Sequence, residues 1–189
     1  MHWAWRAWSV YVDAWQRIVK SNCNNPDISS PAQAITLLDE GVFNALHRNN
    51  GVNQHDGMDV SICAVDLSNH KLKYAGAFRP ILVWSENKIS VYKPTSCSIG
   101  SFKERGITAE EHEIQLYPGD RVYMFSDGYV DQFGGERGKK FMSRRFVKML
   151  DEFQHKSLIE QKRLLETTFT KWQGDLEQVD DVLVLAFEI

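Results

Sequence analysis

The chain has 189 residues, of which 43% are hydrophobic and 25% are charged, with a formal net charge of −3 at pH 7. These values are typical of one globular domain and give no reason to expect nucleic acid as a partner. No apolar run approaches the roughly 18 residues of a membrane span, and three widely spaced cysteines, Cys23, Cys63 and Cys97, predict free thiols in a reducing cytoplasm.

Residues 1–29 are predicted to form an amphipathic helix followed by a loop. Apolar side chains, among them Trp8, Tyr11 and Trp15, recur there at three- and four-residue spacing. Such a stripe favours a helix that covers a sheet. A helix that binds a partner or a membrane surface is the alternative.

A second helix and a series of strands are predicted for the rest of the chain. Ser30 is a capping residue and Pro31 suits the first helical position. Six strands follow, with the predicted bounds Met58–Asp66, Lys71–Ala75, Pro80–Trp84, Lys88–Tyr92, His112–Leu116 and Val122–Phe125. Two helices and a strand complete the chain, namely Met142–Phe153, Leu158–Trp172 and Val182–Ile189. This order predicts an α+β fold with largely antiparallel sheet.

Two acidic steps adjoin strands that are predicted to be buried on both faces. Asp127 and Gly128 follow one such strand, and Asp180 and Asp181 precede another. An Asp-Gly step alone is most often a turn. Two carboxylates held over the same sheet edge, however, repel each other by about 4 kcal/mol at about 4 Å and therefore share a proton or bind a cation. Mg²⁺ or Mn²⁺ suits such oxygen ligands.

Four short motifs resemble one known family, in the family's order. They are Tyr74-Ala75-Gly76-Ala77, Ser98-Ile99-Gly100, Ser126-Asp127-Gly128-Tyr129-Val130-Asp131 and Asp180-Asp181-Val182-Leu183-Val184. The chain thereby resembles the metal-dependent, type 2C-like protein phosphatases, in the branch typified by the stage II sporulation protein E serine phosphatase. The resemblance covers residues 30–189. It implies one phosphatase-like domain over residues 1–189, with two mainly antiparallel sheets forming a sandwich flanked by helices.

The resemblance also implies a chemistry and the residues that perform it. Asp127, Gly128 and Asp180 correspond to ligands of a site that holds two Mn²⁺ or Mg²⁺ ions in intact relatives, where metal-activated water hydrolyses phosphoserine or phosphothreonine. Asp181 and Asp131 are expected to support these ligands, with a solvated carboxylate as the alternative for Asp131. Arg79 is a candidate phosphate contact. The implied substrate is a phosphorylated regulatory protein, such as an anti-anti-sigma factor, and longer relatives carry a sensor domain.

One family motif has no counterpart in this sequence. The family's first strands supply bridging metal ligands, often within Asp-x-Thr-Gly-His-Gly, and no such motif precedes Ser30. The resemblance therefore predicts an N-terminally truncated domain with an incomplete site, weak metal binding and little activity from this chain alone. Two functions stay open, namely a serine/threonine phosphatase and a catalytically inactive phosphatase-like interaction domain.

Overall fold

The computed structural model describes residues 30–47 and 57–189, so the predicted N-terminal helix and loop lie outside the described residues. The described residues form two compact units. The first contains residues 30–47, 57–80 and 92–117, and the second contains residues 81–91 and 118–189. The prediction that residues 1–189 form a single domain stays a prediction.

Every helix and strand predicted within the described residues lies close to its predicted position, and four short elements were not predicted. The helices are α1 (Pro31–His47), α2 (Phe102–Arg105), α3 (Asp127–Asp131), α4 (Ser143–Glu152) and α5 (Leu158–Gln173). The strands are β1 (Val60–Asp66), β2 (Lys71–Ala77), β3 (Ile81–Ser85), β4 (Lys88–Tyr92), β5 (Glu111–Gln115), β6 (Arg121–Phe125), β7 (Phe133–Gly134), β8 (Lys139–Lys140) and β9 (Val184–Glu188). Every strand pair with a defined register is antiparallel. This mixture of antiparallel sheets and helices confirms the predicted α+β fold.

The first unit is built on a three-stranded sheet in the order β1-β2-β5. Helix α1 begins as predicted, since the Ser30 hydroxyl oxygen accepts a hydrogen bond from the Gln33 backbone N–H at 3.3 Å. Ile35 and Leu38, one helical turn apart, are buried in a cluster with Ala75 of β2 and other apolar residues. The amphipathic stripe of α1 therefore covers this sheet.

The second unit is built on a four-stranded sheet in the order β4-β3-β6-β9. Alternate residues of β6, Tyr123 and Phe125, join a buried cluster with side chains of α4 and α5. Aromatic rings form much of this core, and the Phe125 and Phe146 ring centroids are 4.8 Å apart. No helix among the described residues is long and apolar enough to cross a lipid bilayer.

The last strand is less buried than its apolar sequence predicted. Leu183 is 45% exposed and Leu185 is 39% exposed, whereas Val122 and Tyr123 of β6 are completely buried. The expectation of two strands buried on both faces is therefore wrong for β9. The physical reason is its place at the end of the sheet order, next to β6 alone among the described strands.

Candidate metal centre

The first acidic step lies where β6 gives way to α3. β6 ends at Phe125, Ser126 is the N-cap residue, and α3 begins at Asp127, which is half-buried. Tyr129 anchors α3, because its hydroxyl donates a hydrogen bond to the Leu165 carbonyl oxygen of α5 at 2.8 Å. Burial raises the pKa of the Tyr129 hydroxyl, so this donor stays protonated at neutral pH. Asp127 thus sits in the first turn of a firmly held helix.

Gly128 brings the two acidic steps together. A Cβ atom at this position would lie 2.4 Å from the Asp181 carbonyl oxygen and 3.1 Å from the Asp180 carbonyl oxygen. The first distance is too short for a real side chain, so only glycine allows α3 to approach this backbone so closely. Since Phe125 pairs with Val184 at the end of β6, both acidic steps lie at one edge of the sheet.

Ser126 joins the same two segments by hydrogen bonds. Its hydroxyl donates to the Asp181 carbonyl oxygen at 2.8 Å and accepts from the Leu183 backbone N–H at 2.9 Å. Its own backbone N–H donates to the Leu183 carbonyl oxygen at 3.0 Å. A hydroxyl has one proton to donate, and this one is already used. Ser126 is therefore part of the hydrogen-bond framework that joins the two acidic steps.

The two residues of the second acidic step contribute differently. Asp180 and Asp181 are both exposed, and Asp180 Oδ1 accepts a hydrogen bond from the Asp181 backbone N–H at 2.7 Å. Among the described residues, Asp180 Oδ2 makes no hydrogen bond. Asp181 enters the frame through its main chain, which bonds to Ser126. The structure therefore leaves Asp180 with a carboxylate oxygen that can meet a cation.

The remaining predicted site residues are held in ion pairs. Asp131 Oδ2 lies 2.9 Å from Lys140 Nζ in the second unit. In the first unit, Arg79 Nη2 lies 3.1 Å from Asp59 Oδ2, and Asp59 Oδ1 accepts from the Ser98 hydroxyl at 2.7 Å. The Arg79 guanidinium thus has a carboxylate partner within its own unit. Its role as a phosphate contact stays a prediction.

The oxygen donors at this sheet edge match the chemistry of a hard divalent cation but are few. Asp127 and Asp180 provide carboxylates, and Gly128, which directly follows Asp127, provides a main-chain carbonyl oxygen. Within residues 30–47 and 57–189, no group of three or more His, Cys, Asp or Glu side chains is placed to hold a metal ion. These residues therefore fit an ion that keeps most of its ligands as water or takes them from elsewhere.

Two buried polar residues that bond the backbone of residues 100–103 and 177–179 were not predicted from the sequence. Asp39, only 2% exposed, accepts hydrogen bonds from the backbone N–H groups of Gly100, Phe102 and Lys103 at 2.6–3.0 Å. Gln132, completely buried, bonds the backbone ahead of Asp180. Asp39 bonds Gly100 of the Ser98-Ile99-Gly100 motif, and Gln132 directly follows Asp131 of the acidic motif on α3. The sequence carried no signal for either, because Asp39 adjoins Glu40 and Gln132 adjoins Asp131, so each looks like an ordinary solvated polar residue.

A separate cleft of about 890 Å³ lies within the second unit. Its lining comes from the β7–β8 connection, α4, α5 and the start of the following loop, and includes Phe141, Arg145 and Trp172. The Arg145 guanidinium lies over the Trp172 ring, 4.1 Å from its centroid. None of the predicted site residues lines this cleft, so it is distinct from the acidic edge.

Comparison with known proteins identifies the family to which the chain belongs. The family model described as stage II sporulation protein E (SpoIIE) matches residues 8–189. No curated protein matches the chain. Among solved structures, the SiaA-PP2C domain of Pseudomonas aeruginosa is 27% identical, with a TM-score of 0.80 over 92% of this chain and 67% of that one.

Two further structures share the fold at lower identity. The phosphatase domain of the cell fate determinant SpoIIE from Bacillus subtilis, presoaked with Mn, is 18% identical, with a TM-score of 0.53 over 80% of this chain and 63% of that one. The RsbU and RsbW domains of Rv1364c from Mycobacterium tuberculosis are 16% identical, with a TM-score of 0.63 over 95% of this chain and 48% of that one. Together with the matched family model, these likenesses show that the chain belongs to the SpoIIE family and has the fold of its type 2C-like phosphatase domains.

Proposed function

We propose that this chain is a metal-dependent serine/threonine phosphatase domain that acts on a phosphorylated regulatory protein in the cytoplasm. One observation carries the proposal: Gly128 and Ser126 bring the two acidic steps of the family motifs to the same sheet edge. The Mn-presoaked Bacillus SpoIIE phosphatase domain supports the choice of metal, and the matched SpoIIE family model supports the choice of reaction. The free thiols of Cys63 and Cys97 support a reducing compartment.

Asp127, Gly128 and Asp180 are the residues that would hold Mn²⁺ or Mg²⁺. When bound, such an ion polarises a phosphoryl oxygen and makes water a better nucleophile at neutral pH. The chain's own contribution is to hold two carboxylates at one edge with fixed spacing. Asp181 supports them through its main chain, and Asp131 is neutralised by Lys140, which limits the negative charge at the site.

The alternative function is a phosphatase-like interaction domain without catalysis. It is favoured by the small number of ligands, because the described residues contain no group of three or more metal-binding side chains. Hydrolysis depends on narrow geometry, and a misplacement of about 1 Å can cost about 100-fold in rate. We therefore expect weak metal binding and slow turnover from this chain alone, and faster turnover once further oxygen ligands are supplied.

Mn²⁺ titration by calorimetry, with p-nitrophenyl phosphate hydrolysis in parallel, tests the proposal. The variants are Asp127→Asn and Asp180→Asn, and the matched control is Asp175→Asn, an exposed aspartate of the same loop. We expect weak Mn²⁺ binding that both site variants abolish and the control retains. Unchanged binding in Asp127→Asn would refute the proposed site. Binding without any Mn²⁺-dependent hydrolysis would favour the interaction domain.

A further inference from the structure

The loop that carries Asp180 has no buried side chain to hold it. The connection between α5 and β9 runs over residues 174–183, of which 174–181 are all exposed, whereas Val182 is partly buried against the core cluster of this unit. A segment without core contacts takes its position from hydrogen bonds to its backbone. The position of Asp180 therefore depends on the groups that bond the loop on either side of it, together with the packing of Val182.

Gln132 bonds the loop just before Asp180. Its side chain is completely buried. Nε2 donates to the Glu177 carbonyl oxygen at 2.9 Å, and Oε1 accepts from the Val179 backbone N–H at 3.1 Å. Nε2 also donates to the Phe133 carbonyl oxygen at 3.0 Å. One amide thus bonds two consecutive peptide groups of the loop, one on each side of Gln178, and leaves none of its own polar atoms unsatisfied.

The backbone that carries Gln132 is itself fastened to the end of α5. Trp172 Nε1 donates to the Gln132 carbonyl oxygen at 3.0 Å, and the Gly135 N–H donates to the Trp172 carbonyl oxygen at 2.7 Å. A Cβ at Gly134 would lie 1.8 Å from the same Trp172 oxygen, so the two segments are in direct backbone contact. Gln132 therefore presents its amide from a rigid position.

Ser126 bonds the loop just after Asp180, through the Asp181 carbonyl oxygen. Asp180 is thus bracketed by two side chains, Gln132 acting on Val179 and Ser126 acting on Asp181. Both side chains flank α3, the short helix that begins at Asp127. Gln132 and Ser126 therefore hold the backbone on both sides of Asp180 against the segment that carries Asp127.

We propose that Gln132 is a positioning residue of the candidate metal centre, which sets the Asp180 carboxylate relative to Asp127 by holding the loop at residues 177 and 179. This inference rests on the proposed function, because the position of Asp180 has a chemical consequence only where a cation binds. Groups that orient a metal ligand typically change metal affinity or activity by about 10–100-fold. Gln132 acts through the loop backbone, so the lower end of that range, about tenfold, is expected.

The test compares Gln132→Met with Gln161→Met in the full chain. Methionine has a similar length and shape but lacks the amide. Gln161 is also buried in the second unit. Its amide bonds the Phe153 and Lys156 carbonyl oxygens and the Tyr123 hydroxyl, and none of these partners belongs to residues 174–181. The two variants therefore lose comparable buried hydrogen bonds, and only one of them loses the bonds to the loop.

Three quantities are measured: Mn²⁺ affinity by electron paramagnetic resonance titration, backbone hydrogen exchange at residues 177–183, and stability to urea. Gln132→Met is expected to weaken Mn²⁺ binding about tenfold, alter the spectrum of the bound ion and speed exchange at Val179. Gln161→Met should lose stability and keep the parent's affinity and loop exchange. Equal Mn²⁺ affinity in Gln132→Met and the parent, or equal losses in both variants, overturns the inference. Absence of Mn²⁺ binding by the parent refutes the proposed function, and unchanged exchange at Val179 then refutes the role of Gln132 in holding the loop.

Discussion

Replacing Gly128 with alanine tests whether the close approach of α3 to the acidic loop shapes this site. In a helix, alanine is favoured over glycine by about 1 kcal/mol. At this position, however, the new Cβ would lie 2.4 Å from the Asp181 carbonyl oxygen, about 1 Å inside ordinary van der Waals contact. Overpacking of this kind costs about 1–3 kcal/mol. The steric cost should therefore exceed the gain in helix propensity, and Gly128→Ala should lower the free energy of unfolding by about 1 kcal/mol.

Gly41→Ala provides the matched control. Gly41 lies within α1, where an added Cβ meets no atom of the described residues within 4 Å. This variant should gain up to about 1 kcal/mol of stability, because only helix propensity changes. Urea unfolding of the parent and both variants measures the two changes in the free energy of unfolding, which should be opposite in sign. A Mn²⁺ titration shows whether displacement of the loop weakens binding. A Gly128→Ala protein as stable as Gly41→Ala, with the parent's Mn²⁺ affinity, would refute the reasoning.

Two further predictions concern titrating groups elsewhere in the chain. Burial raises the pKa of Cys63 to about 12 from an ordinary value of 9.0, so the unfolded chain loses this proton first and stability should fall as pH rises above about 9. Between about pH 8 and pH 10, the free energy of unfolding of Cys63→Ala, measured in urea, should fall by about 1 kcal/mol less than that of the parent. The same dependence of this free energy on pH in both proteins would contradict this account. Ser157 caps α5 and holds the pKa of Glu160 below its usual range by hydrogen bonds. Ser157→Ala should cost about 1 kcal/mol at neutral pH. That difference should shrink as pH falls through the lowered Glu160 pKa, whereas a constant difference would show that the carboxylate plays no part in the cap.

The sequence predicted most of the fold because local patterns decide it. Ser30 and Pro31 marked the start of α1, and the alternation of apolar residues located β6 and the strands before it. Periodicity carries no information about which strand lies at the end of a sheet. β9, with its apolar Val184–Phe187 run, was therefore expected to be buried, although it pairs only with β6 among the described strands.

In the candidate site, too, the residues within short motifs were predicted, whereas contacts between distant parts of the chain were not. Asp127 and Asp180 were singled out from short motifs, each contained within a few residues. The groups that set their spacing are 45–57 residues apart in sequence, as in the pairs Gln132–Glu177 and Ser126–Leu183. No sequence spacing encodes such a pair. Gln132 looked like an ordinary polar residue after a turn, until its burial showed where its amide bonds.

The residues that orient the acidic edge differ in kind from those that would bind a cation there. Gly128 has no side chain at all, and Gln132 has a neutral amide that reaches only backbone groups. Substitutions at either position move the Asp180 backbone without changing the charge or the number of oxygen ligands. Because metal affinity and any hydrolytic rate respond steeply to ligand position, such substitutions can alter both over a wide range. A chain that keeps Asp127 and Asp180 but loses the close contact at Gly128 or the bonds from residue 132 is therefore expected to bind Mn²⁺ less tightly than this chain.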